Sequence, residues 1–158
     1  MRQAIVGAAV CAVLAACGGE ERNAAETSSA STSTNDAPQW AGTYVGRITT
    51  SVTCSNGGSD SQTIEGDTNV IASGFNEITQ DANTPCPLKW NVTATTATLQ
   101  PRTCTYTPSD GTTATATFSS GSATLSSPQV SGTMGGTFTW AAYPGVTCNF
   151  TQTFDGKR

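Results

Sequence analysis

Five carboxylates, Asp60, Glu65, Asp67, Glu77 and Asp81, form the largest group of chemically capable side chains in the sequence. They could offer hard oxygen ligands to Ca²⁺, with Glu65 and Asp67 as the candidate metal pair and Asn69 and backbone carbonyls in support. Paired-carboxylate hydrolysis would instead need two of them facing each other across a cleft. The plainer reading is solvated turns on an acidic chain, with a formal net charge of −4 and a pI near 4.5. Other catalytic equipment is scarce. There is no histidine, so the commonest general base is missing. No serine sits in a G-x-S-x-G elbow, and no glycine-rich phosphate loop precedes a helix. The expectation is a non-enzymatic protein without cofactor or metal. No basic stripe exists to neutralise phosphates, which argues against nucleic acid as a partner.

The cysteines carry more information. Arg2 leads into an apolar run, Ala4 to Leu14, and then into Leu14-Ala15-Ala16-Cys17. This resembles the lipobox of a bacterial lipoprotein signal peptide. The resemblance implies that residues 1–16 are removed and that the Cys17 sulfur carries lipid, linking the protein to a membrane. Gly18, in place of Asp, implies sorting to the outer membrane. The apolar run spans about eleven residues, too short to cross roughly 30 Å of hydrocarbon as a helix. Residues 17–38, the lipidated cysteine and a segment rich in Ser, Thr, Ala and Glu, are expected to form a flexible linker. Under this resemblance Cys11 is discarded and Cys17 cannot pair. Cys54, Cys86, Cys104 and Cys148 remain, an even number in an oxidising compartment, so two disulfides are expected. A structural zinc site would need C-x-x-C or histidine, and neither is present.

Residues 39–158 hold the elements that must position these groups. All eleven aromatic residues lie between Trp40 and Phe154, which argues for a packed core there despite a hydrophobic share of 36%. The period is two, the mark of half-buried strands. Tyr44, Gly46, Ile48, Thr50, Val52 and Cys54 share one face, opposite Arg47, Thr49, Ser51 and Thr53. Val146, Cys148, Phe150, Gln152 and Phe154 repeat the pattern near the end of the chain, and Leu88-Trp90-Val92, Ala114-Ala116-Phe118 and Gly136-Phe138-Trp140 fill the middle. Threonine suits the exposed side of a pleated sheet, which accounts for its abundance. Turn signals stand at 55–58, 82–87, 108–111, Ser120-Gly121, 126–129 and 143–145. Short strands at such intervals predict an all-β fold, a single antiparallel meander closed as a small up-and-down barrel or a β-sandwich. A membrane-spanning barrel would need an apolar outer band, where these strands carry Thr and Ser.

Strand geometry suggests the cysteine pairing, although cysteine count alone allows three connectivities. A hairpin folded about Ala94-Thr95 sets Trp90 opposite Leu99 and Val92 opposite Ala97. Inward parity then changes, because Cys104 and Tyr106 lie on the opposite parity; a bulge near Gln100-Pro101 absorbs the slip. Cys86 then comes opposite Cys104. Cys54 and Cys148 fall on the first and last strands, which are neighbours in a closed meander. The predicted bridges are Cys54–Cys148 and Cys86–Cys104.

Trp40-Ala41-Gly42-Thr43-Tyr44 resembles the opening of lipocalin-like barrels, which often begin with Trp and Gly just before the first strand. The resemblance implies an eight-stranded barrel enclosing an apolar cavity for a small hydrophobic ligand. Inward Gly46, Gly66, Ala114, Ala116, Gly132 and Gly136 would leave room for it. The competing reading is that these glycines permit sheet coiling around a core filled by Trp90, Phe118, Phe138 and Phe150. Two functions follow as expectations. One is a lipid-anchored, non-enzymatic envelope component whose threonine-rich face or loops contact an envelope protein or glycan. The other is a lipocalin-like carrier of a small apolar ligand.

Overall fold

A computed structural model describes residues 34–107 and 113–158. The lipobox-like stretch, Cys17, most of the expected linker and the expected 108–111 turn lie outside the described residues. The chain enters through a single turn of helix, α1 (Ala37–Trp40), with Pro38 in its first turn, where a missing N–H costs nothing. Just before it, Asn35 Oδ1 accepts the Asn76 amide (3.0 Å), and the Asp36 amide donates to Asn76 Oδ1 (2.6 Å). Ala37 is completely buried. Packed structure therefore starts ahead of the expected boundary at Gln39, because these contacts dock residues 35–37, expected as linker, onto the sheet.

Nine strands follow: β1 (Gly42–Cys54), β2 (Ser59–Gly74), β3 (Glu77–Gln80), β4 (Leu88–Val92), β5 (Thr96–Leu99), β6 (Arg102–Tyr106), β7 (Ala114–Ser126), β8 (Gln129–Trp140) and β9 (Thr147–Lys157). They form one antiparallel sheet in the order β5-β4-β3-β2-β1-β9-β8-β7-β6, and β5 also pairs with β7, which nearly closes the sheet into a ring. The choice between barrel and sandwich is thus decided for the barrel. The last strand returns beside the first, with Cys54 opposite Cys148. Both disulfides, Cys54–Cys148 and Cys86–Cys104, join the pairs that strand geometry suggested.

The meander is held in register by period-two burial. Tyr44, Cys148, Ala114 and Ala116 are buried on inward positions while Thr53, Thr139, Thr147 and Thr153 face outward and are exposed. Trp90 pairs with Leu99 and Val92 with Ala97, as the hairpin requires. The strand breaks at Gln100-Pro101, and the buried parity changes from Ala97 and Leu99 to Cys104. A matching irregularity in β7 between Phe118 and Ser120 keeps both neighbours aligned, so Thr98 faces Ser122 and Arg102 faces Phe118. Ser120-Gly121, expected as a turn, is part of this irregular stretch inside β7. Gly121 is there for close packing: a Cβ would meet Leu99 Cβ at 2.9 Å and Trp90 Cη2 at 3.0 Å.

The acidic segment is the larger correction. Asp60, Glu65 and Asp67 lie not in turns but on β2, the longest strand, and Glu77 opens β3. β3 pairs with β2 only over Val70–Gly74, so from Ser59 to Asn69 β2 pairs with β1 alone. β6 likewise pairs only with β7. The ring is complete at the end where the short strands β3, β4 and β5 lie, and incomplete at the other. The best-buried core sits at the complete end, where Trp40, Tyr44, Val70, Ile78, Trp90, Leu99, Leu125 and Val130 pack together.

Candidate functional site: the barrel interior

Inward-facing side chains do not fill the ring. Phe118, Phe138 and Phe150, expected to plug it, are only half-buried, whereas Trp90 is buried. The three phenylalanines pack edge-on or tilted, Phe118 against Phe150 at 5.3 Å and Phe138 against Phe150 at 6.2 Å between ring centres. Two cavities remain. One, of about 230 Å³, lies at the complete end among Trp40, Tyr44, Ile78, Trp90, Val130 and Phe154. The second, of about 370 Å³, lies towards the incomplete end among Val52, Leu88, Tyr106, Phe118, Phe138 and Trp140, beside the Cys86–Cys104 bridge. Gln80, Asp81, Met134 and Gln152 line both and form a waist between them.

The complete end is stoppered. Trp40 is 2% exposed, and its indole N–H donates to the Thr93 carbonyl (2.8 Å). The Tyr44 hydroxyl donates to the Trp40 carbonyl (3.0 Å). Arg158 reaches back to donate to the Ala41 carbonyl (2.8 Å) and lies over the Tyr44 ring at 5.6 Å. Burial pushes the Tyr44 phenol above its ordinary pKa, with the Arg158 charge acting in the opposite direction.

The waist is the polar feature of an otherwise apolar interior. Gln80 Oε1 accepts the Trp90 indole N–H (3.1 Å), and Gln80 Nε2 donates to Asp81 Oδ2 (3.4 Å). Asp81 Oδ1 accepts the Asn69 amide (3.0 Å), while the Asp81 amide donates to the Asn69 carbonyl (2.7 Å). Asp81 adopts a φ of 51°, a left-handed conformation that Asp and Asn tolerate better than most residues. Across the waist, Gln152 donates to Thr50 Oγ1 (3.0 Å). Few polar groups converging in an apolar concavity is the arrangement that orients a small ligand.

The metal candidates are not gathered into a site. Glu65 pairs with Arg47 on the outer face (3.4 Å), with both side chains about two-thirds exposed. Such a pair contributes little. Asp67 follows two residues along the same strand and borders the smaller cavity. Among the described residues, no three His, Cys, Asp or Glu side chains come together to hold a metal. The best-connected carboxylate is Glu77, which accepts hydrogen bonds from Lys89 (2.9 Å), Gln100 (3.0 Å) and Ser73 (3.1 Å). These bonds, led by that from Lys89, hold its carboxyl below the usual range. A carboxyl lowered on folding stabilises the protein above its unfolded pKa and ceases to as pH falls through the folded value. Glu77→Gln is therefore expected to lower the melting temperature at pH 7. The gap to wild type should close as pH falls below about 4, where free glutamate protonates. A gap unchanged at acid pH in melts across that range would contradict this.

Of these residues, Gln152 was the most readable in advance, being the polar residue on the inward stripe between Phe150 and Phe154. Gln80 and Asp81 gave no such sign, because β3 is too short to show alternation. The two disulfides indicate an oxidising, extracytoplasmic setting. Among the described residues no helix is long and apolar enough to cross a membrane. No protein-family model, no curated protein and no solved structure matches this chain.

Proposed function

We propose that the domain is a non-enzymatic binding module that carries a small, mainly apolar ligand inside the barrel. The observation that supports this reading is the unfilled interior: nine of the eleven aromatic residues, all but Phe75 and Tyr143, line the two cavities that meet at the waist. In this reading the lipobox-like Leu14-Ala15-Ala16-Cys17 makes Cys17 the lipid anchor and the bacterial outer membrane the address. An anchored carrier retains its ligand at the envelope.

The outer face supports contact with an envelope protein or glycan less well. Thr63, Thr49, Thr153, Thr133, Ser122 and Thr98 align in one row across six strands. However, many of the hydroxyls on this face bond to one another, as in Thr49–Thr63 (2.9 Å), Ser51–Ser61 (3.1 Å) and Thr103–Thr117 (3.0 Å). Cross-strand pairing of this kind stabilises the sheet and accounts for the threonines without an external partner.

Full-length protein purified from its own envelope and examined by native mass spectrometry should carry extra mass that is lost on denaturation. Radioactive palmitate should label the wild type and not Cys17→Ala. A ligand-free spectrum that stays blank when aromatic probes are added would overturn the carrier reading, and an unlabelled wild type would overturn the anchor.

A further inference from the structure

We infer that the ligand is a lipophilic cation, an amine or quaternary ammonium carried on an apolar or aromatic body. The inference rests on the interior-binding reading above and specifies its chemistry. The formally charged residues that line the cavities are all acidic. Asp81 lines both of them and Asp67 borders the smaller, while no Lys or Arg lines either. Arg47 pairs with Glu65 and Lys89 with Glu77 outside the ring, Arg158 donates to the Ala41 carbonyl, and Arg102, half-buried on β6 opposite Phe118, lines neither cavity. Aromatic rings present electron-rich faces that attract cations and offer nothing comparable to an anion.

Asp81 is placed for this task. Its two oxygens are oriented by the Asn69 amide and the Gln80 side chain, each of which takes one acceptor position. A carboxylate oxygen has a second, so a ligand ammonium can still be received. The site lies where the two aromatic cavities join, so a cation at the waist can direct its apolar body into either. An anionic ligand there would lose hydration and face a fixed carboxylate of the same sign. A neutral ligand would gain the apolar contacts alone.

The test uses three probes sharing one naphthyl body: naphthylmethylammonium, naphthylmethyl methyl ether and naphthylacetate. Their affinities for the full chain are measured by equilibrium dialysis in one detergent buffer. The ammonium should bind at least ~10-fold more tightly than the other two, as expected for a charge-assisted contact. Asp81→Asn should erase most of that preference and leave the methyl ether within about twofold of wild type, since an ether has no N–H or O–H to donate to the carboxylate. Asparagine keeps an oxygen acceptor and tolerates the positive φ, so the variant should fold, which its melting curve checks. Asp67→Asn should leave the preference nearly unchanged, because Asp67 is exposed at the outward parity it shares with Glu65. Equal affinities for all three probes, or a preference untouched by Asp81→Asn in a folded protein, would overturn this inference and leave the carrier reading standing. No binding of any probe would overturn both.

Discussion

Replacing Cys54 and Cys148 together by serine is expected to destabilise the domain by about 4–5 kcal/mol, the larger of the two disulfide effects. The bridge spans 94 residues, and in the chain-entropy model a loop of that size restricts the unfolded ensemble by about this amount. The Cys86–Cys104 bridge spans 18 residues, for which the same model gives about 3 kcal/mol. Folded-state geometry points the same way. Cys54 and Cys148 sit at the end of the β1–β9 register, the seam where the first strand meets the last, and Cys148 is 1% exposed. Without the bridge, closure of the ring depends on strand hydrogen bonds and on apolar contacts that are only partly buried at this end. The double serine variant should melt on the order of 15 °C lower than wild type. The Cys86→Ser, Cys104→Ser variant should fall in between, with β6 and the 81–87 connection loosening first. Urea denaturation of the three proteins gives the ranking directly. A greater loss from the 18-residue bridge would show that native-state strain or residual denatured structure, rather than loop closure, dominates.

The same seam shows how far the sequence carries. β1 and β9 were legible because each alternates over ten or more residues with large side chains on one face, and each ends near a cysteine at the same parity. A closed meander makes the two strands neighbours, which is what suggested pairing those cysteines; it left barrel and sandwich open, and the β5–β7 pairing decides between them. The parity change at Gln100-Pro101 was legible for a similar reason: Leu99 and Cys104 cannot both face inward without an extra residue between them. β2 was not legible. Its inward positions from Asp60 to Gly66 are Asp, Gln, Ile and Gly, an unpatterned series, because the strand there has a partner on one edge only and all but Gly66 are exposed. An inward residue at an incomplete wall experiences little selection for apolarity, so the hydrophobic pattern fades where the ring opens. That loss concealed the waist too, since Gln80 and Asp81 follow a four-residue strand. Ser120-Gly121 failed differently. Its glycine serves the approach of the Trp90 ring, which no local pattern reveals.

Trp40→Ala is expected to cost about 3–5 kcal/mol, the usual range for deleting a buried tryptophan side chain. Trp40 lies on one turn of helix, too short to stand by itself, so its position depends on what it packs against. That is the complete end of the barrel, where it is 2% exposed and its indole N–H satisfies the Thr93 carbonyl beyond β4. Truncation removes the apolar contacts, leaves that carbonyl without its donor, and joins the 230 Å³ cavity to the space vacated by the ring. Trp40→Phe separates these contributions. It retains most of the apolar surface and loses the hydrogen bond, so a cost of about 1–2 kcal/mol is expected. If the interior is the binding site, the two variants also part in function. Trp40→Ala should raise the off-rate of a bound aromatic probe by opening the stoppered end, while Trp40→Phe should hold it near wild type. Stopped-flow displacement measures this below the melting temperature of both variants. An off-rate unchanged in a folded Trp40→Ala protein would mean that ligand enters and leaves only through the incomplete end. The gap between β2 and β6, left by the short β3, β4 and β5, would then be the sole gate.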